Sequence, residues 1–209
     1  MSAAGLTGAA LLGVSLSSPP GSSRFYVLTT AVAGTWTAGA LASGPLHRGW
    51  IQSRDESFRR PVVVPILTGV AAFGLFYGGA LVVRRVPILG DAVTRIMRFA
   101  DDGASPLVLM TVCANGAAEE VFFRGALYSA IGADGPVLKS ALAYTAATSA
   151  TRNPALVLAS ALMGTLLGLQ RRASGGIQAP TLTHLTWSLL MLRYIPPLFR
   201  ERAEQRKDR

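Results

Sequence analysis

Residues 62–83 contain no charged side chain, and neither do residues 25–41. A helix that crosses the hydrocarbon core of a bilayer needs about 20 predominantly apolar residues, so both runs read as lipid-facing spans. Composition agrees with that reading. Hydrophobic residues are 50% of the 209, charged residues 15%, and the mean hydropathy is +0.39, too apolar and too poor in charge for a soluble domain of this length. The formal net charge of +9 does not point to nucleic acid. The arginines stand in short clusters between apolar runs, as in loops flanking membrane spans, and the expected partner is membrane lipid.

The remaining chain divides by its breakers. Residues 3–16 are apolar, but the first basic residue, Arg24, lies beyond them, so a cleaved signal peptide is not expected; a short first span and a membrane-skimming segment both stay open. Residues 47–61 carry Arg48, Arg54, Arg59 and Arg60 against Asp55 and Glu56 and read as a polar loop on the cytoplasmic side. Between Val86 and Phe99, apolar residues at helical spacing alternate with Arg95 and Arg98, which predicts an interfacial amphipathic helix. Asp101, Asp102 and Gly103 punctuate, and Ser105-Pro106 opens a helix running to about Ile131. Pro136, Pro154 and Pro180 each stand near the start of a further apolar helix, and Gly175-Gly176 ends the one before the last. The expected fold is all-α: a polytopic membrane helix bundle of roughly six to seven transmembrane helices with one amphipathic interfacial helix. It forms a single membrane domain over residues 1–199, followed by a charged tail, 200–209. Gly74/Gly78 and Gly164/Gly168 have the spacing that lets helix backbones approach closely.

Glu119 and Glu120 do not belong on an apolar helix unless something holds them, since a carboxylate at bilayer depth costs about 2.5–3.5 kcal/mol on insertion scales. Residues four apart share a helix face, so Glu120 is expected to pair with Arg124, and Glu119 to line up with Asn115 and Thr111. One carboxylate is then braced, while its neighbour is left for general acid/base work on a water or a substrate. The plainer alternative makes the pair a buried strut and Glu119 a partner for nearby backbone. A second polar cluster, Thr181, His184 and Ser188, shares one face of the last helix, and both clusters could line one cavity. A metal site is not expected: the chain has two histidines, and neither stands in HExxH-type spacing with a glutamate. Cys113, the single cysteine, can form neither an internal disulfide nor a thiolate cluster and reads as a small buried residue. No cofactor is expected.

The group Glu119-Glu120-x-x-x-Arg124-Gly125 resembles the first motif of the CAAX-protease and bacteriocin-processing (CPBP) family, also called the Abi family of intramembrane endopeptidases. Gly164 to Gly168, Arg171-Arg172, a Gly-rich turn, Ala179-Pro180 and His184 are similar in order and spacing to that family's last core helices, giving a family-like core over about residues 104–195. The resemblance implies peptide-bond hydrolysis near the membrane face of a bacterial plasma membrane, on a peptide or protein substrate. It makes Glu119 the base that activates water, His184 an oxyanion donor, and Arg124 the brace of Glu120. Two positions depart from the family's pattern. Thr148 stands where a Phe-x-x-x-His motif puts histidine, with Tyr144 at its aromatic position, and Ser188 stands where a His-x-x-x-Asn motif puts asparagine. Thr148 or Thr145 would then be neutral helpers of Glu119, and Ser188 a hydroxyl donor. Two other readings use the same residues: a catalytically silent relative that binds a peptide or lipidated tail, and a transporter with Glu119 in a proton relay. The protease reading requires Glu119 and His184 on one cavity.

Overall fold

Capping residues set where two helices begin. Ser22 Oγ accepts from the backbone N–H of Phe25 at 3.2 Å, and Asn153 Oδ1 accepts from those of Ala155 and Leu156 at 3.0 and 3.2 Å, satisfying donors that the first turn leaves free. Pro136 and Pro154 stand in the first turn of their helices, where a missing N–H is harmless. The structure, a computed structural model, describes residues 1–52, 58–101 and 105–199. Its helices are α1 (Ser2–Ser15), α2 (Ser23–Leu41), α3 (Val63–Val83), α4 (Pro87–Asp101), α5 (Ser105–Glu119), a π-helical stretch (Glu120–Leu127), α6 (Tyr128–Ile131), α7 (Pro136–Ser149), α8 (Pro154–Ser174) and α9 (Gln178–Tyr194). A 3-10 turn, Pro196–Phe199, follows. The expectations placed on Arg54, Asp55, Glu56, Asp102, Gly103 and the tail 200–209 lie outside the described residues.

Among the described residues the regular structure is helical, save one short antiparallel ladder, β1 (Ile51–Gln52) with β2 (Phe58–Arg59), in the loop between α2 and α3. Among the described residues three helices are long and apolar enough to cross a membrane: Val63–Val83, Pro106–Ile131 and Pro154–Ser174. The second joins α5, the π-helical stretch and α6 into one rod of 26 residues. α2 matches the second charge-free run of the sequence but is less apolar than these three. α4 is the amphipathic helix expected from its spacing; Val93 and Met97 pack on the Ile195 and Phe199 cluster, while Arg95 is exposed.

Small residues bring the helices together, though not all of those expected. Gly8 of α1 lies against the Trp36 ring of α2, and Gly164 of α8 lies against Ala141 and Tyr144 of α7. Among the described residues Gly74 and Gly78 face no heavy atom within 4 Å, so the packing role expected for that pair is not realised there; both lie on an exposed face of α3. The central core joins Val32, Trp36 and Ala40 of α2 to Ala118, Phe122, Phe123, Ala126 and Tyr144. Its aromatic rings form a continuous chain: Trp36 to Phe123 at 5.4 Å and Phe123 to Tyr144 at 5.1 Å between centroids.

The connections lock the two ends of the bundle. At one end the backbone N–H groups of Ile177 and Gln178 donate to the carbonyls of His47 and Arg48 at 2.8 and 3.0 Å, and that of Trp50 to Ser174 at 2.8 Å. Gly175, at φ 68°, closes α8, and Gly176 passes so near the backbone of Arg48 and Gly49 that a Cβ would not fit. At the other end Asn153 Nδ2 donates to the carbonyl of Ala92 in α4 at 2.8 Å, tying the turn between α7 and α8 to the amphipathic helix.

Candidate active site

The two glutamates sit where α5 passes into the π-helical stretch, and the change of winding coincides with the polar cluster. Insertions of this kind often accompany functional sites, because one extra residue per turn re-aims the side chains that follow. Glu120 and Arg124 are both fully buried and pair as the sequence spacing predicts, Nη1 donating to Oε1 at 3.1 Å. Arg124 Nη2 donates to the carbonyl of Gly164 at 3.1 Å, so the guanidinium bridges to α8.

His184 of α9 comes to the same carboxylate. Its Nδ1 lies 2.8 Å from Glu120 Oε1, which therefore receives both the guanidinium and the imidazole. Its Nε2 lies 3.8 Å from Glu119 Oε2, beyond hydrogen-bond length but within ion-pair range. Glu119, Glu120, Arg124 and His184 thus form one cluster drawn from two separate helices. Ser188, one turn further along α9, lines the same cavity as Glu119 and His184, a space of about 310 Å³. Thr181 does not take part: its hydroxyl donates to the carbonyl of Ile177 in its own helix, 2.7 Å away.

The neighbour of Glu119 is not the one expected. Asn115 Nδ2 donates to the backbone carbonyl of Thr111 at 2.9 Å, turning its amide back on its own helix. The Tyr144 hydroxyl of α7 donates to Glu119 Oε2 at 2.6 Å instead. Thr148 lines the cavity, but its hydroxyl donates to the carbonyl of Tyr144, and that of Thr145 to the carbonyl of Ala141, each at 2.9 Å. Neither threonine assists Glu119 directly. Buried threonines in a helix have their own preceding turn as the nearest acceptor, which explains the choice.

Arg171, named from the sequence only with Arg172 among the core-helix residues of the family resemblance, has a role there that the sequence reading did not assign. It is buried, and its Nε donates to the carbonyl of Arg124 at 2.7 Å, supplying a donor to the backbone where the winding changes. The signal available was its place among the core-helix residues of the family resemblance, not its charge. Among the described residues no group of three His, Cys, Asp or Glu side chains is arranged to hold a metal ion.

Beside the polar cavity lies an apolar chamber of about 550 Å³, walled by α3, α4, α8 and α9. Met97, Met163 and Trp187 line both spaces.

Residues 102–190 match the family model described as type II CAAX prenyl endopeptidase Rce1-like. This segment, less than half of the chain, is similar to that family. The Rce1-like segment contains Glu119, Glu120, Arg124, Tyr144, His184 and Ser188, and the family is the one that the Glu-Glu-x-x-x-Arg group resembles. Together with the three apolar helices, it makes the protein an integral membrane protein. No curated protein and no solved structure matches the chain.

Proposed function

We propose that the protein is an intramembrane endopeptidase that hydrolyses a peptide bond near one face of the membrane. The observation that carries this reading is the meeting of Glu119 and His184, from different helices, at 3.8 Å on the wall of one cavity. Water held against Glu119 gives a proton to the carboxylate as its oxygen attacks the carbonyl carbon. That proton passes to the amide nitrogen as the C–N bond breaks, leaving a carboxylic acid and an amine. His184 faces the charge that develops on the carbonyl oxygen, with Ser188 as second donor. Because Nδ1 is engaged by Glu120, Nε2 donates only when both ring nitrogens carry protons. Glu120 and Arg124 hold the ring in place.

The apolar chamber supports a substrate whose peptide carries an apolar side chain or a lipid tail. The crossing helices are α1, α2, α3, the 106–131 rod, α7, α8 and α9, seven in number or six if α1 only skims the surface, with α4 at the interface of a plasma membrane of the bacterial kind. A second reading keeps this fold and cavity but replaces turnover by binding of a peptide or lipidated tail. It is favoured by Thr148, whose hydroxyl is spent on its own helix.

One experiment separates the two. The protein purified in detergent is offered a peptide library, beside Glu119→Gln and His184→Ala. Cleavage by the wild type that falls by at least about 10²-fold in Glu119→Gln supports the protease. Peptide binding without cleavage by the wild type sinks it and supports the second reading.

A further inference from the structure

Resting on the protease reading, we infer that Tyr144 is the positioning residue of Glu119: its hydroxyl holds Oε2 and leaves Oε1 to receive the proton of the attacking water. The bond between them, 2.6 Å long, joins α7 to the end of α5 across the cavity wall. Among the described residues no other side chain donates to Glu119 within hydrogen-bond distance. Asn115, Thr145 and Thr148, the polar groups nearest in sequence pattern, are all turned back onto their own helices.

The tyrosine is itself fixed. The residue is 8% exposed, its ring tilted against Phe123 at 5.1 Å and lying 4.7 Å from the guanidinium carbon of Arg124. Gly164 passes beneath it so closely that a Cβ there would stand 3.3 Å from the ring. A phenol held from several sides gives a hydrogen bond of one direction, which is what a catalytic carboxylate needs in order to present one particular oxygen. Among the described residues Glu119 Oε1 has no hydrogen-bond partner and is not sealed from the cavity, whereas Glu120 Oε2, also without a partner among them, is buried.

Without the hydroxyl, Glu119 has one competing partner in reach among the described residues. His184 Nε2 stands 3.8 Å from the same Oε2, and a small rotation of the carboxylate would close that gap into an ion pair. Base and oxyanion donor would then occupy each other. Tyr144 therefore keeps two charged groups apart that the fold has brought together. Threonine at 148 supplies no substitute, because its oxygen is already committed.

The test is Tyr144→Phe, which retains the ring and removes the oxygen, with the full-length protein in detergent and a fluorogenic peptide that the wild type cleaves. The expected result is a fall in kcat on the order of 10- to 100-fold, with KM and the melting temperature held close to wild type. Peptide affinity, read by anisotropy in the Glu119→Gln background with and without Tyr144→Phe, is expected to stay within about twofold, so that the loss is one of chemistry rather than binding. A Tyr144→Phe protein that keeps wild-type kcat overturns the inference while leaving the protease reading intact. So does one that loses kcat only in step with its melting temperature. If the wild type cleaves no peptide at all, the protease reading fails first and takes this inference with it.

Discussion

Glu120 carries two partners on one oxygen, Arg124 Nη1 at 3.1 Å and His184 Nδ1 at 2.8 Å, and this shared atom is what orients the imidazole. Removing the arginine is therefore not a local change. Arg124→Met leaves a carboxylate fully buried with the histidine alone to meet it, and unpaired buried charges of this sort cost about 3–5 kcal/mol. Thermal unfolding in detergent should show that loss. Glu120→Leu combined with Arg124→Met should recover part of it, since replacing both partners removes the stranded charge. A double variant no more stable than Arg124→Met would argue that the pair acts through something other than mutual neutralisation. The pairing itself could be read from residue spacing, because residues four apart meet in either winding of the helix. The partner of Glu119 could not. Tyr144 is 25 residues away in sequence, and only the packing of α7 against α5 brings its hydroxyl to the carboxylate.

The element that departs most from expectation is the 106–131 rod. Its length and apolar character follow from the sequence, but nothing in the order of residues announces a π-helical stretch over Glu120–Leu127. A neighbour meets it there: Arg171 of α8 donates to the Arg124 carbonyl at 2.7 Å, giving the backbone of the stretch a donor from outside its own helix. Arg171→Gln should leave that carbonyl short of its strongest donor, lowering stability by about 1–3 kcal/mol. Because the same stretch aims Arg124, peptide turnover should fall as well, and a variant with wild-type stability and activity would show that the stretch stands without Arg171. The glycine pairs make the same point at the scale of the element. Gly164 and Gly168 pack on α7, while Gly74 and Gly78, with the same spacing, meet nothing among the described residues. Spacing tells which backbone can approach closely, and the fold decides which does.

At the scale of the whole molecule, hydrogen bonds between loops sort the connections into two ends. The loop after α2 is joined to the turn between α8 and α9, and α4 is joined to the turn between α7 and α8. With Cys113→Ala as background, a cysteine at Ser43 or Arg172 should react with an impermeant maleimide from one side of the membrane. A cysteine at Arg85 or Arg95 should react from the other. All four are exposed, so weak labelling would reflect sidedness rather than burial. Labelling of Ser43→Cys and Arg85→Cys from the same side would break the arrangement, because α3 would then fail to cross.

What the sequence determines by itself is whatever depends on composition and short spacing. The charge-free run at 62–83 dictates a membrane helix, the proline and glycine breakers place most helix ends, and the four-residue step joins Glu120 to Arg124. These are local consequences of hydrogen-bond satisfaction, solvation and helix pitch. Tertiary structure alone decides the rest: that His184 lies between the two glutamates, that Arg171 supports the π-helical stretch, and that Tyr144 rather than Asn115 holds Glu119. Each of these joins separate helices, and its geometry comes from how whole helices pack rather than from the order of residues along any one of them.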